Sequence, residues 1–151
     1  MPELKTGKYI ITDVRADKLF PGERSGAGRT PGGSQVTPTH VMWLDGEVIP
    51  GAFYSECVWI WPECASERPA AQAHTHTFTE VVTFFGTSFE DHQDLCGEVE
   101  LWLDGEKHVM TRSFLAYIPA GMTHCPLIVR RVERPIFHFT VGLGGDYVRE
   151  K

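Results

Sequence analysis

A succession of short β-prone runs separated by turn residues constrains the fold of this 151-residue chain more than any other feature. Two stretches, HVMWLDGEVIP and VELWLDGEKHVM, place Asp-Gly between β-prone runs, which is typical of a tight hairpin. No stretch carries a long helical period. The remaining candidate strands are KYIITDV (8–14), FYSECVWIW (53–61), HTHTFTEVVTFF (74–85), FLAYIP (114–119), HCPLIVRRV (124–132) and PIFHFTVG (135–142). Evenly spaced short strands predict an all-β sandwich or barrel.

The length and the 42% hydrophobic content fit one compact domain with its own core. Within it, we expect residues 1–40 to form an N-terminal strand and a Gly/Pro-rich arm that packs on the barrel. We expect residues 41–145 to form the barrel and residues 146–151 to form a C-terminal tail. The arm contains PGERSGAGRTPGGSQVTPT, whose glycines and prolines disfavour regular structure. We predict that the segment from Pro21 to Pro38 is a lid or an oligomer contact.

The charge and the hydropathy pattern narrow the classes of partner. The net charge is −6 and no long basic run occurs, which argues against a nucleic-acid or anionic-membrane surface. No signal-peptide core or membrane span is evident, so a cytoplasmic location is expected. The four cysteines form no Cys-x-x-Cys pair, which favours reduced thiols. A small molecule is therefore the expected partner.

The run AHTHTFTEVVTFFG (73–86) places ionisable groups in an otherwise apolar or threonine-rich stretch. On a strand, His74, His76 and Glu80 lie at even offsets and project to one side, together with Phe78 and Phe84. Imidazole nitrogens and a carboxylate oxygen are good ligands for a divalent first-row metal. The alternative is a solvated face on which Glu80 pairs with an arginine, because a lone His-x-His is a weak signal.

A further histidine favours the metal interpretation. In SFLAYIPAGMTHCPLIV, Pro119 and Gly121 make a turn, and His124 opens the next strand. Such a turn can direct His124 towards the cavity lined by the first three residues.

Together, these residues resemble the two motifs of the cupin superfamily. The first has the form G-x5-H-x-H-x3,4-E-x6-G, and the second has the form G-x5-P-x-G-x2-H-x3-N. This sequence departs from them at two places, Ser113 for the first glycine of the second motif and Ile128 for its asparagine. The matching positions are His74, His76, Glu80 and Gly86, with one residue fewer before the glycine, and then Pro119, Gly121 and His124.

The resemblance implies a single-domain β-barrel of jelly-roll type. It implies one divalent transition metal per chain, either iron, manganese, nickel, zinc or copper, held by His74, His76, Glu80 and His124. It also implies a homodimer. Four protein ligands leave two positions of a six-coordinate metal open, and the residual positive charge favours an anionic or enolisable oxygen ligand.

Other residues are assigned from the strand pattern. Phe78, Phe84, Trp59 and Tyr117 are candidate walls of a substrate pocket, although aromatic strand residues are most often core. His138 is a possible acid or base, with a hydrogen-bonded core histidine as the commoner alternative. Regular alternation turns Cys125 away from the metal as a buried, inert thiol.

Three functions fit this pattern, because one fold hosts many activities. The first is a metal-dependent enzyme acting on a small oxygen-rich or aromatic substrate, with dioxygenase-type or Lewis-acid isomerase or lyase chemistry. The second is a non-catalytic, metal-containing module that binds or senses a small ligand. The third is a metal-free barrel that binds a sugar-type ligand, which the complete ligand set disfavours.

Overall fold

The computed structural model describes residues 5–19 and 38–144, and its regular structure is almost entirely β. Three short 3-10 helices span Gly7–Tyr9, Ala16–Lys18 and Pro62–Cys64. The strands are β1 (Thr39–Leu44), β2 (Tyr54–Ile60), β3 (Glu80–Phe85), β4 (Asp94–Leu103), β5 (Glu106–Arg112), β6 (Phe114–Ile118), β7 (His124–Val132) and β8 (Ile136–Gly142). The all-β prediction is confirmed.

The strands form two antiparallel sheets that share one core. The larger has the order β1-β2-β8-β3-β6 and the smaller has the order β5-β4-β7. The last strand, β8, lies between β2 and β3, so strands distant in sequence are neighbours, as in a jelly roll. Val58 and Phe84 of the larger sheet belong to the same buried cluster as Val99 and Val129 of the smaller. Burial of each such side chain contributes about 1.5–3 kcal/mol, which holds the two sheets together.

The two Asp-Gly turns differ. Asp104 and Gly105 connect β4 to β5 as a two-residue turn, and both have positive φ (48° and 80°), as a tight hairpin requires. The first turn was expected to be tight as well, and this prediction is wrong. Asp45 is buried, and its side chain accepts hydrogen bonds from the backbone N–H groups of Glu47 and Val48. This side-chain capping starts a longer connection over residues 45–53.

The predicted strand over residues 8–14 does not form. Residues 7–9 are a 3-10 helix, and Tyr9 and Ile10 are exposed, so the apolar residues of this stretch bury too little surface to pair with a sheet. The first strand begins at Thr39, within the predicted arm. The segment from Pro21 to residue 37, which holds nearly all of the predicted lid, and the tail over residues 146–151 lie outside the described residues.

Over residues 5–19 and 38–144, none of the helices has the length and apolar character needed to cross a membrane.

Candidate metal centre

Backbone pairing brings the two motifs together. The N–H of His74 donates to the carbonyl of His124 at 3.0 Å, and the N–H of His124 returns the bond to His74 at 3.0 Å. The Gly121 N–H donates to the carbonyl of His76 at 2.8 Å. Gly121 has a φ of 82°, a left-handed conformation that suits glycine. The predicted proline-glycine turn therefore places His124 beside the first two histidines.

The geometric reason for this convergence differs from the expected one. Strand β3 begins only at Glu80, and the chain bends at residues 77–78, so His74 and His76 do not lie on the same strand as Glu80. The histidines reach the site through the bridge to His124 and the bend, and not through strand alternation. The four residues are buried nonetheless, with exposed fractions of 2–7%.

The candidate ligand atoms lie within a few ångströms of one another. His76 Nε2 is 3.1 Å from Glu80 Oε2, and His124 Nε2 is 3.0 Å from the same oxygen. His74 Nε2 is 3.2 Å from His76 Nε2. His76, Glu80 and His124 form a group whose ligand atoms all lie within 4.8 Å of one another.

Backbone carbonyls fix the tautomers of two histidines. His74 Nδ1 is 2.6 Å from the carbonyl of Gln72, and His124 Nδ1 is 3.0 Å from the carbonyl of Met122. A carbonyl only accepts, so each Nδ1 carries a proton and donates it. In the neutral imidazole, each Nε2 then presents a lone pair to the site, as a metal ligand must.

The buried ligand atoms of this site need a positively charged partner. Glu80 Oε2 and His124 Nε2 are buried without a hydrogen-bond partner among the described residues. Two acceptors 3.0 Å apart repel each other unless a proton or a metal ion lies between them. A divalent cation satisfies the carboxylate and the imidazoles together, so the donor set fits a transition metal.

The carboxylate of Glu80 is in the form that binds metal. Burial raises its pKa, but the neighbouring His124 and His76 outweigh burial and lower the pKa to about 2. Glu80 is therefore ionised at neutral pH.

Two motif positions have structural roles. A Cβ on Gly86 would lie 2.0 Å from the carbonyl oxygen of Asp94, so only glycine fits this crossing of two backbones. Ser113, which stands where cupins usually have glycine, accepts a hydrogen bond from the Gly86 N–H at 2.9 Å and donates to the carbonyl of His92. The serine at this position therefore connects the two motifs through its hydrogen bonds.

Cys125 does not face away from the site, and the prediction that it does is wrong. The pairing of β4 with β7 shifts register between Leu101 and Leu103, and Cys125 has a φ of 72°. This irregularity interrupts the alternation, so Cys125 lines the cavity. Its sulfur and the ligand nitrogens of His74 and His124 all lie within 4.8 Å of one another.

The candidate centre opens into a cavity of about 660 Å³ between the sheets. Of the four predicted wall residues, Phe84 lines it. Tyr117 is 62% exposed, because the next residue, Ile118, occupies the core face of β6. Trp59 lies between the buried Val58 and Ile60, so it takes the outer face, where its ring contacts Trp61 and Phe137.

Phe78 occupies a position beside the ligands. Its ring stacks on His76 with centroids 4.6 Å apart, and it fills the space above Gly142. It is not among the described residues that line the cavity. Phe78 therefore packs on the ring of His76, a candidate metal ligand, outside the cavity.

His138 lines the cavity and is hydrogen-bonded at both nitrogens. Nδ1 donates to the carbonyl of Thr83 at 2.9 Å, and Nε2 lies 3.2 Å from the Thr140 hydroxyl. Burial lowers the pKa of His138, against the raising effect of Glu56, so the ring is neutral. A catalytic role for His138 stays a prediction.

Sequence reasoning missed a second polar group in the cavity, formed by His40, Tyr54 and Glu56. His40 follows a proline-rich stretch and had no assigned position. Period-two alternation from Val58 places Tyr54 and Glu56 on the inner face of β2, and this signal was present in the sequence.

Comparisons with known proteins identify similar solved structures. No family model matches the chain, and no curated protein matches it. A Klebsiella pneumoniae protein with a double-stranded β-helix domain is 14% identical, with 80% of this chain and 81% of that chain covered and a TM-score of 0.48. A cupin protein from Bacteroides fragilis is 11% identical, with coverage of 83% and 91% and a TM-score of 0.43.

An oxalate oxidase in complex with glycolate is 17% identical, with a TM-score of 0.47. The match covers 80% of this chain and only 56% of the oxidase. Two of these structures are thus named as a cupin and as a double-stranded β-helix protein, and this chain resembles them distantly, at low identity.

Proposed function

We propose that this protein is a metal-dependent enzyme in which His74, His76, Glu80 and His124 hold one divalent transition metal. The observation that carries the proposal is the buried pair of acceptors, Glu80 Oε2 and His124 Nε2, 3.0 Å apart. Carbonyls behind His74 and His124 orient both rings with Nε2 towards the centre. Iron, manganese, nickel, zinc and copper all suit such ligands.

The substrate is a small oxygen-rich or aromatic molecule that chelates the metal. A bound metal supplies Lewis-acid polarisation of substrate oxygen, and iron adds redox chemistry. The chain contributes the enclosure, because the cavity of about 660 Å³ suits a small molecule and Phe84, Val82 and Leu101 among its lining residues exclude water. Arg68 also lines the cavity and contributes positive charge for an anionic group.

We also propose a homodimer located in the cytoplasm. The outer face of the larger sheet supports the dimer, because Leu115 is 61% exposed there and Phe85 is 42% exposed.

The test is an activity screen on protein purified without added metal and analysed for metal content. Oxygen uptake is measured with diketones, catechols and hydroxy acids, and substrate loss is followed in parallel for reactions that consume no oxygen. We expect turnover by the wild type and its loss in His76→Ala. A metal-loaded protein that binds chelating ligands but converts none of them would contradict the enzymatic proposal and favour a binding or sensory protein.

A further inference from the structure

A partly buried carboxylate, that of Glu56, lies in the cavity apart from the candidate metal centre. Glu56 Oε2 accepts a hydrogen bond from the Tyr54 hydroxyl at 2.6 Å, and Oε1 lies 3.6 Å from His40 Nε2. The side chain of Glu56 is 15% exposed and that of His40 is 2% exposed. These contacts use about two of the roughly four lone-pair directions of a carboxylate. The remaining directions can accept from a ligand.

Glu56 is negatively charged at neutral pH. Burial raises its pKa, but the neighbouring His40 and the hydrogen bond from Tyr54 outweigh burial and lower the pKa. A buried charge is costly unless a partner compensates it. The cavity beside Glu56 therefore favours a positive group.

Aromatic rings flank this carboxylate. Trp43 is the register partner of Glu56 on β1, and its ring is 5.2 Å from the Tyr54 ring, edge to face. Both rings belong to residues that line the cavity. A cation is attracted to the face of such rings, and the Lys18 ammonium already lies over the Trp43 ring, 5.5 Å from its centroid. Tyr54 is therefore the ring that, together with Glu56, favours a positively charged ligand group.

The lysine that lines the cavity does not cancel this preference. Lys18 also lines the cavity, but its ammonium lies 2.8 Å from Asp45 and 2.7 Å from Glu47. Two carboxylates already balance its one charge.

The strand register sets the separation from the metal centre. Glu80 pairs with Gly142, which pairs with Tyr54, and Glu56 lies two residues further along β2. Two strand spacings across the sheet, from β3 through β8 to β2, and one two-residue step along β2 give about 12 Å between the Cα atoms of Glu56 and Glu80. Both side chains line the cavity, so one small molecule can reach from the metal to Glu56.

We propose that Glu56 and Tyr54 form a second binding site, which holds the protonated amine of a ligand whose other end chelates the metal. This inference rests on the proposed metal centre and adds a substrate class to it, a small amine with a chelating oxygen group.

The experiment uses metal-loaded protein and hydroxamates, which chelate through two oxygens. Hydroxamates of glycine, β-alanine and γ-aminobutyric acid are each compared with the isostere that ends in methyl instead of ammonium. We expect the wild type to bind at least one amine about 10-fold to 100-fold more tightly than its isostere, as a charge-assisted hydrogen bond provides. Glu56→Gln should lose this preference while its affinity for the methyl compounds stays the same.

Two further variants complete the design. Glu106→Gln removes a carboxylate that is 83% exposed on the β4–β5 hairpin, and it should keep the amine preference. Tyr54→Phe keeps the ring but removes the hydroxyl donor, and it should change the preference without changing metal content. Metal content and circular dichroism of every variant show that the fold is intact.

The outcomes separate the two proposals. Equal affinity of amines and isosteres for the wild type, or an unchanged preference in folded Glu56→Gln, would overturn the amine site and leave the metal centre standing. If no hydroxamate binds to the wild type and no metal is retained, the proposed metal centre fails, and the amine site fails with it.

Discussion

Single hydrogen bonds decide which nitrogen of His74 and which nitrogen of His124 faces the candidate metal centre. The carbonyls of Gln72 and Met122 take the Nδ1 protons of His74 and His124, so the Nε2 lone pairs point inwards. The residue types at the centre were predictable, because the His-x-His and proline-glycine patterns are local. The carbonyl partners were not, since they depend on the backbone conformation two residues before each of these histidines.

Cys125 shows the limit of alternation at the scale of one residue. A register shift and a positive φ turn its side chain towards His74 and His124. We predict that Cys125→Ser lowers the ratio of zinc to manganese bound from an equimolar mixture, because a sulfur ligand favours the softer metal. Metal analysis after equilibrium dialysis measures this ratio. An unchanged ratio in the folded variant would show that the thiol does not interact with the metal.

Strands β2, β6, β7 and β8 were predicted to within two residues, because their alternation and flanking turn residues are local signals. The strand predicted over residues 8–14 does not form, because these residues bury too little surface to pair with a sheet. The first Asp-Gly turn also failed, because the side chain of Asp45 caps the following backbone N–H groups instead of allowing a two-residue hairpin.

Gly86 joins two elements by close backbone approach. A Cβ there would lie 2.0 Å from Asp94 O, and the obstructing atom belongs to backbone. We predict that Gly86→Ala lowers the free energy of unfolding by roughly 1–3 kcal/mol, since the start of β4 must shift. Urea denaturation measures the loss.

Gly7→Ala is the matched control, because nothing lies within 4 Å of a Cβ at that position. It should change stability by less than about 0.5 kcal/mol. Equal stability of the two alanine variants would contradict the tight crossing of Gly86 and Asp94.

At the scale of the molecule, the two sheets enclose one cavity with different chemistry at two places. The candidate metal centre was predictable, because its ligands fall in two short motifs. The group of His40, Tyr54 and Glu56 was predictable only in part. Alternation from Val58 places Tyr54 and Glu56 on the inner face of β2, but the position of His40 depends on the packing of β1 on β2, and the closure of the cavity depends on the smaller sheet, which are long-range effects. The predicted walls Trp59 and Tyr117 failed for the same reason: inner and outer faces are assigned only when the second sheet is in place.

The central claim is that four residues from two motifs bind one metal ion. Metal content and affinity are measured for the wild type, for His76→Ala and His124→Ala, and for His108→Ala, whose side chain is 45% exposed, as the control. We predict about one bound divalent transition metal per chain for the wild type and the control. Both ligand variants should lose most of it while staying folded. Full occupancy at unchanged affinity in either ligand variant would contradict the claim.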